Sequence, residues 1–264
     1  MRGIVTLTTD FGQRDPFVAV MKGMILRRAP DAAIVDVTHD IEPFRAAEAG
    51  FWLARIPPYF PDGTVHLAVV DPGVGTARGL LAMACGNQLF LAPDNGLLAE
   101  VAARPGAAAR RIAPATFDAI GASARGATFH GRDLLAPLAA ELATGRLPFA
   151  SVGDPCVPVA GPALAPARPE AGGYGGTIVT VDRFGNLLTN LEAAALDPRR
   201  DWHVLVAGHE ARRATAYGEA PGGALVALAN AWGLIEIAES AGHAASSLGV
   251  GRGEPVFLRY RGDG

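Results

Sequence analysis

Ile4-Val5-Thr6-Leu7-Thr8, closed off by Gly3 before it and Thr9-Asp10-Phe11-Gly12 after it, reads as a buried β-strand. Its residues are apolar or β-branched, and turn-forming residues bound it on both sides. The pattern then changes period. Phe17 to Arg28 reads as a helix whose first turn suits Pro16 and whose end is set by Ala29-Pro30. Ile34 to Val37 is a second short strand. Arg45 to Arg55 is a second amphipathic helix, stopped by Pro57-Pro58. Val65 to Val70 is a third strand, and Leu80 to Cys85 with Gln88 to Leu91 make a hairpin around Gly86-Asn87. Leu134 to Thr144 reads as a helix ending near Gly145. Strands alternating with helices predict a mostly parallel sheet covered by helices on both faces.

The composition changes near residue 156. Cys156 to Gly173 is rich in Pro, Ala and Gly and shows no period, so it reads as a linker. Beyond it come short strand patterns: Thr177 to Val181, His203 to Val206, Ala224 to Ala229, Leu234 to Ala238 and Pro255 to Arg259. Turn signals at Gly185-Asn186, Pro221-Gly222-Gly223 and Gly251 to Gly253 separate them, which predicts a small antiparallel β domain. The expected organisation is an α/β domain over residues 1–160, a linker over 161–173 and a β domain over 174–264. No internal repeat of fixed period is visible.

Composition narrows the function classes. The chain has 264 residues, half of them hydrophobic, and a formal net charge of −3. Length alone allows one large domain or two smaller ones. The charge argues against a general nucleic-acid binder, which needs a basic face to neutralise phosphates. No apolar run is long enough for a membrane span, and no secretory signal precedes the first strand. Cys85 and Cys156 are the only cysteines, too far apart to form a disulfide framework. A cytoplasmic, reduced protein is the expectation.

Four polar clusters interrupt the hydrophobic pattern. Asp10 sits where the first strand ends, and carboxyl ends of strands line the ligand crevice of open α/β sheets. A carboxylate there can accept two hydroxyl hydrogen bonds from a ribose. The competing reading is an aspartate that caps a helix or closes a turn. The second cluster, Asp71-Pro72-Gly73-Val74-Gly75-Thr76-Ala77-Arg78, follows the third strand. Its glycines allow close backbone approach to a ligand, but it lacks the Gly-Lys-Ser/Thr ending of a phosphate loop. The third, Thr128-Phe129-His130-Gly131-Arg132-Asp133, precedes a helix. His130 suits proton handling or water orientation, while Asp133 can serve simply as a cap. The fourth runs from Asp182 to Asn190. A β-turn explains Gly185 and Asn186, but not why Asp182, Asn186 and Asn190 fall so close together. Asp36, His39, Asp40, His66 and Asp94 are residue types that bind metals. No paired His or Cys spacing accompanies them, so no metal is assigned.

Taken in order, the clusters resemble one family, the S-adenosyl-L-methionine (SAM) hydroxide adenosyltransferases, related to the bacterial fluorinase and chlorinase. The matching segments are Leu7 to Gly12, Val35 to Ile41, Tyr59 to His66, Asp71 to Arg78, Ala92-Pro93-Asp94-Asn95-Gly96, Thr128 to Asp133 and Asp182 to Asn190. They cover nearly the whole chain.

The resemblance implies cleavage of SAM by hydroxide at the ribose 5′ carbon, giving adenosine and methionine with no cofactor. It implies a water-activating set of Asp71, Arg78 and His130. Asp10 would hold the ribose hydroxyls, Phe44 pack by the nucleoside, Asp15 and Asp182 lie near the methionine amine, and Asn186 lie near the adenine. It implies an α/β domain followed by a small β domain, in homotrimers whose sites join the first domain of one subunit to the second of the next. One departure stands out. Where the family carries Asn-Ser, this chain has Asn230-Ala231, so a hydroxyl expected near the methionine carboxylate is missing. The halogenases of the superfamily lack the Asp-Arg-His set, which favours water over chloride here. A non-catalytic SAM or adenosine sensor is a third reading, and a metallophosphatase the least supported.

Overall fold

The computed structural model describes residues 3–124, 126–161 and 165–262. The chain divides into two compact units, Met1–Ala163 and Leu164–Gly264.

The first unit holds seven strands: β1 (Ile4–Thr9), β2 (Ala33–Thr38), β3 (Val65–Val69), β4 (Leu80–Cys85), β5 (Gln88–Pro93), β6 (Ala108–Ile112) and β7 (Gly153–Pro155). They form one sheet in the order β2-β1-β3-β5-β4-β6-β7. β1 is parallel to β2 and β3, and β3 is parallel to β5. The β4 pairings with β5 and β6, and the β6–β7 pairing, are antiparallel. The helices are α1 (Phe17–Leu26), α2 (Ala46–Leu53), α3 (Ala99–Ala102), α4 (Pro114–Ala119) and α5 (Ala136–Ala143).

Met21 and Ile25 of α1 and Leu138 and Ala139 of α5 share a core cluster with Val5, Leu7, Val65 and Leu67 of β1 and β3. Every residue of β3 is buried, on both faces. This is the continuous burial expected of a parallel strand covered from both sides. The helix read from Leu134 begins earlier, with a wide turn at Gly131–Leu135. Asp133 therefore lies inside the helical run, where Arg132 grips its carboxylate at 2.7 and 2.9 Å, and it is not a cap.

The second unit holds β8 (Arg168–Glu170), β9 (Gly173–Val181), β10 (Leu187–Glu192), β11 (Trp202–Val206), β12 (His209–Arg213), β13 (Leu225–Ala229), β14 (Leu234–Glu239), β15 (Pro255–Tyr260) and the helix α6 (Ala244–Leu248). The order is β10-β14-β13-β12-β11-β15-β9-β8, and β9 also pairs with β10. That extra pairing closes a barrel, with β8 attached outside the ring. Ile178, Leu187, Trp202, Val204, Ile235, Ile237, Val256 and Leu258 fill its interior. The pairs are antiparallel except β12–β13, which is parallel. β8 falls in the stretch expected as a linker; its three residues are exposed and carry no apolar signal.

One buried polar group is built into the first sheet. Gln88 Nε2 donates to the carbonyls of Pro57, Phe60 and Pro61, which turns its Oε1 toward His66. His66 Nε2 donates to that oxygen at 3.0 Å, and its Nδ1 accepts from Thr6 Oγ1 at 2.8 Å. The imidazole is therefore neutral, and burial pushes its pKa down to about 4 from the usual 6.5. Between those values the unfolded chain binds a proton that the folded chain does not. The stability held by neutral His66 is complete above about pH 6.5 and is lost as pH falls toward 4. At about 1.4 kcal/mol per tenfold preference, the loss is on the order of 3 kcal/mol. Urea midpoints measured from pH 7 to 4 should fall less steeply for His66→Gln than for the wild type. Parallel declines would reject this account.

Candidate active site

The path of the chain through the first sheet creates the crevice. From β1 the chain passes through α1 to β2 on one side, then returns through α2 to β3 on the other. The strand order therefore reverses between β1 and β3, and a cleft opens beyond their carboxyl ends at such a switch point. Asp10 follows β1 and Asp71 follows β3, so strand pairing alone brings two carboxylates to one place. A cleft of about 330 Å³ opens there, lined by Asp10, Asp71, His130, Phe44 and a set of apolar residues.

Asp71 and His130 line the cleft, and Arg78 joins them. Arg78 Nε donates to Asp71 Oδ1 at 2.9 Å, and Arg78 Nη2 donates to Asp71 Oδ2, a bidentate pair. The two side chains are only 10% and 5% exposed, so solvent screens the pair little. Arg78 Nη2 also donates to His130 Nδ1 at 3.2 Å. A guanidinium has no acceptor, so this contact fixes the tautomer: Nδ1 carries the lone pair and Nε2 the hydrogen. Burial first, and the Arg78 charge second, push the His130 pKa below its ordinary value. The imidazole is thus neutral at pH 7. Gly75 lets the two segments meet. Its φ of +82° suits glycine, and a Cβ there would lie 2.8 Å from the Ala127 carbonyl oxygen.

Asp10 Oδ2 accepts from the Phe44 backbone N–H at 3.1 Å. Burial raises the Asp10 pKa, and the charge of Asp71 adds to that rise. Phe44 is 71% exposed and has a φ of +71°, a strained conformation for a non-glycine residue. Behind Asp10, Thr9 Oγ1 accepts from Phe11 N and lies 2.8 Å from His39 Nδ1. His39 Nε2 lies 3.0 Å from Asp36, which pairs with Lys22 at 2.6 Å. The Asp36 carboxylate is thus paired with Lys22, with His39 Nε2 lying beside it. Asp15 is exposed and is not among the cleft's lining residues.

Phe11, Phe17 and Phe129 were not singled out from sequence. Their rings stand edge to face in a triangle, with centroids 5.6–5.9 Å apart, along the cleft. Each lies beside a polar cluster, and that adjacency was the available signal.

In the second unit Asp182 and Asn186 are joined in the β9–β10 turn. Asp182 Oδ1 accepts from the N–H groups of Phe184 and Asn186 at 2.8 and 2.9 Å, and Oδ2 accepts from Asn186 Nδ2 at 3.0 Å. Both line a pocket of about 410 Å³ with Phe184, Tyr217 and Glu239. Asn190 does not join them. Its Oδ1 accepts from Thr177 N, and it faces a different groove. Tyr217 was missed from sequence. Its hydroxyl donates to the buried Glu236 at 2.7 Å; burial first, and that bond second, push its pKa up to about 12. Ala231 lies exposed in a turn organised by Asn230, whose Oδ1 accepts from Trp232 N and Leu234 N.

A doubly covered α/β sheet with a polar crevice at its switch point, followed by a closed β-barrel unit, defines the structural class. Residues 5–153 match the SAM hydroxide adenosyltransferase N-terminal domain and residues 176–257 the C-terminal domain of the same name. The chain belongs to the SAM hydroxide adenosyltransferase family. The (R)-S-adenosyl-L-methionine hydrolase of Thermus thermophilus is 42% identical over 96% of this chain and 98% of its own. A fluorinase of Actinoplanes sp. is 29% identical over 74% and 73% of the two chains. The crystal structure of an uncharacterized conserved protein from Thermotoga maritima superposes with a TM-score of 0.88 at 35% identity, covering 97% of this chain and 99% of that one.

The hydrogen-bond pattern around Arg78 has a direct spectroscopic consequence. At pH 7, ¹⁵N spectra should show His130 with an unprotonated Nδ1 and a protonated Nε2. In Arg78→Lys, which cannot reproduce the planar fork, the Nδ1 signal should move. A doubly protonated imidazole at pH 7 would refute the arrangement.

Proposed function

We propose that this chain hydrolyses SAM to adenosine and L-methionine, with water-derived hydroxide attacking the ribose 5′ carbon. The observation that carries the reading is the joined Asp71–Arg78–His130 set, whose Asp71 and His130 line the same cleft as Asp10. The name of the Thermus thermophilus relative specifies the R configuration, and we extend that preference to this chain.

The reaction asks little of the protein in acid catalysis. An O–C5′ bond forms as the C5′–S bond breaks. The electron pair goes to sulfur, which leaves as the neutral thioether of methionine, and the water's proton passes to solvent. Arg78 supplies a fixed positive charge beside the nucleophile, which lowers the cost of hydroxide. Neutral His130 supplies its Nε2–H as a donor to the water oxygen. Asp71 holds the guanidinium in place. Asp10 receives the ribose hydroxyls and Phe44 packs by the nucleoside. Holding water against C5′ contributes several kcal/mol, within the roughly 7–11 kcal/mol ceiling for oriented reactants.

The apolar walls serve the same step. A hydroxide and a sulfonium neutralise each other on the way to products, and that attraction is stronger where Phe11, Phe17, Phe129 and Val69 keep water out. A halide is the poorer nucleophile for this cleft, because it must enter as an anion beside the Asp71 carboxylate, whereas water enters neutral and gives up its proton only in place.

Substrate recognition is shared in this reading. Asp182 orients the Asn186 amide toward the adenine, and Asp15 and Asp182 meet the methionine amine. We propose a cytoplasmic homotrimer in which the cleft of one subunit works with the barrel pocket of the next.

Incubation of the purified protein with SAM in oxygen-18 water should place the label in the 5′ hydroxyl of adenosine, faster for the R epimer. No adenosine despite tight SAM binding would refute the activity, and 5′-chloro-5′-deoxyadenosine in chloride buffer would refute the nucleophile. His130→Ala should lower kcat by about 100-fold or more; unchanged turnover removes His130 from the step. Light scattering should give three times the mass of one chain.

A further inference from the structure

We infer that Asn95 is a positioning residue for the nucleophile-activating set, an assignment that rests on the hydrolase reading above. Asp71 and Arg78 sit at the two ends of a loop that contains Pro72, Gly73 and Gly75. The loop carries its own turn bonds, from Val74 N to Asp71 O at 3.3 Å and from Thr76 N to Gly73 O at 3.2 Å, and its two ends are also held from outside.

One dipeptide at the end of β5 makes both ties. Asp94 N donates to Gly79 O at 2.9 Å, one step beyond the Leu80–Pro93 pair of the β4–β5 ladder. Asn95 Nδ2 donates to Val70 O at 2.8 Å, one residue before Asp71. The same Gly79 carbonyl also accepts from Arg78 Nη1 at 3.3 Å. The backbone bond therefore fixes the Arg78 end of the loop, and the Asn95 side chain fixes the Asp71 end.

Asn95 is itself well held. Its Oδ1 accepts from Leu97 N at 3.2 Å, an Asx turn at the start of the next segment. That bond settles which way the amide faces. The opposite orientation would set Nδ2 against the Leu97 N–H and Oδ1 against the Val70 carbonyl, two like-against-like contacts. Its neighbour Asp94 is anchored too, accepting from Val159 N at 2.8 Å and from Arg111 at 3.2 Å. The donor to Val70 thus comes from a rigid support.

The consequence reaches the chemistry through geometry alone. If the Asp71 end of the loop drifts, the bidentate grip on Arg78 opens and the guanidinium turns away from His130 Nδ1. Misplacement by about 1 Å is enough to cost about 100-fold in rate.

Two variants isolate the tie. Asn95→Ala and Asn95→Asp both lose the donor to Val70 O. Only the aspartate keeps the acceptor for Leu97 N, and only the aspartate adds a charge. An effect common to both therefore belongs to the lost donor. The expected result is a drop in kcat of about 10- to 100-fold in both. KM and the calorimetric Kd for SAM should change less than about threefold, and the His130 Nδ1 resonance should move from its wild-type position. Unchanged kcat with an unmoved His130 resonance, in either folded variant, overturns the assignment. A parallel loss of kcat, SAM affinity and Tm marks a purely structural role and overturns it as well. A wild type that binds SAM but forms no adenosine overturns the hydrolase reading instead. The His130 resonance of the variants then still decides whether Asn95 sets the loop.

Discussion

Arg78 can donate hydrogen bonds but cannot accept them, and the arrangement around it follows from that restriction. One edge of the guanidinium is taken by the Asp71 carboxylate. The shared Nη2 reaches His130, which must then offer a lone pair and remain neutral. Nη1 turns to Gly79 O, a carbonyl already tied to β5. Each partner belongs to a different part of the first unit: the end of β3, the run into the helical turn at Gly131, and the start of β4. A buried cation with acceptors on three sides draws these segments together, and removing any one acceptor leaves a desolvated charge poorly matched.

Much of this frame was legible in the sequence. β1 and β3 announce themselves by short runs rich in apolar and β-branched residues, and their ends locate Asp10 and Asp71 without further help. The meeting of Arg78 with His130 was not legible from spacing, because a period of two or of 3.6 residues says which face a side chain takes, never which distant segment it meets. Their grouping came from the resemblance. Of the strands that periodicity missed, β10 is apolar and buried but was absorbed into the polar cluster from Asp182 to Asn190, while others were hidden by their composition. β6 contains Arg110-Arg111 and β12 contains Glu210 and Arg212-Arg213, charged side chains on exposed faces that dilute the apolar signal. β9 begins with Gly173-Tyr174-Gly175-Gly176, where the bonding is all backbone. Glycine carries no side-chain pattern to read, so a paired strand looks like the end of a linker.

The polar pockets of the two units are built on different principles. The cleft of the first unit gathers side chains from separate strand ends, so its geometry depends on the whole sheet. The barrel pocket draws Asp182 and Asn186 from a single five-residue turn that closes on itself. Gly185 permits that closure: its φ is +86°, and a Cβ there would strike the His243 ring at 2.2 Å. Local sequence is enough to build the turn, whereas only the completed sheet can build the cleft.

The barrel is closed by β9, which takes β10 on one edge and β15 on the other. The β9–β10 pair is a hairpin that can form as soon as its residues exist. β15, by contrast, bridges β9 and β11 and fills the last gap in the ring. Until Pro255–Tyr260 has been synthesised, β9 and β11 each present a bare edge, and Trp202, Val204 and Ile178 have no lid over them. Closure of the ring therefore rests on one six-residue strand, the last in chain order, and without its pairing the two edges stay open to other strands.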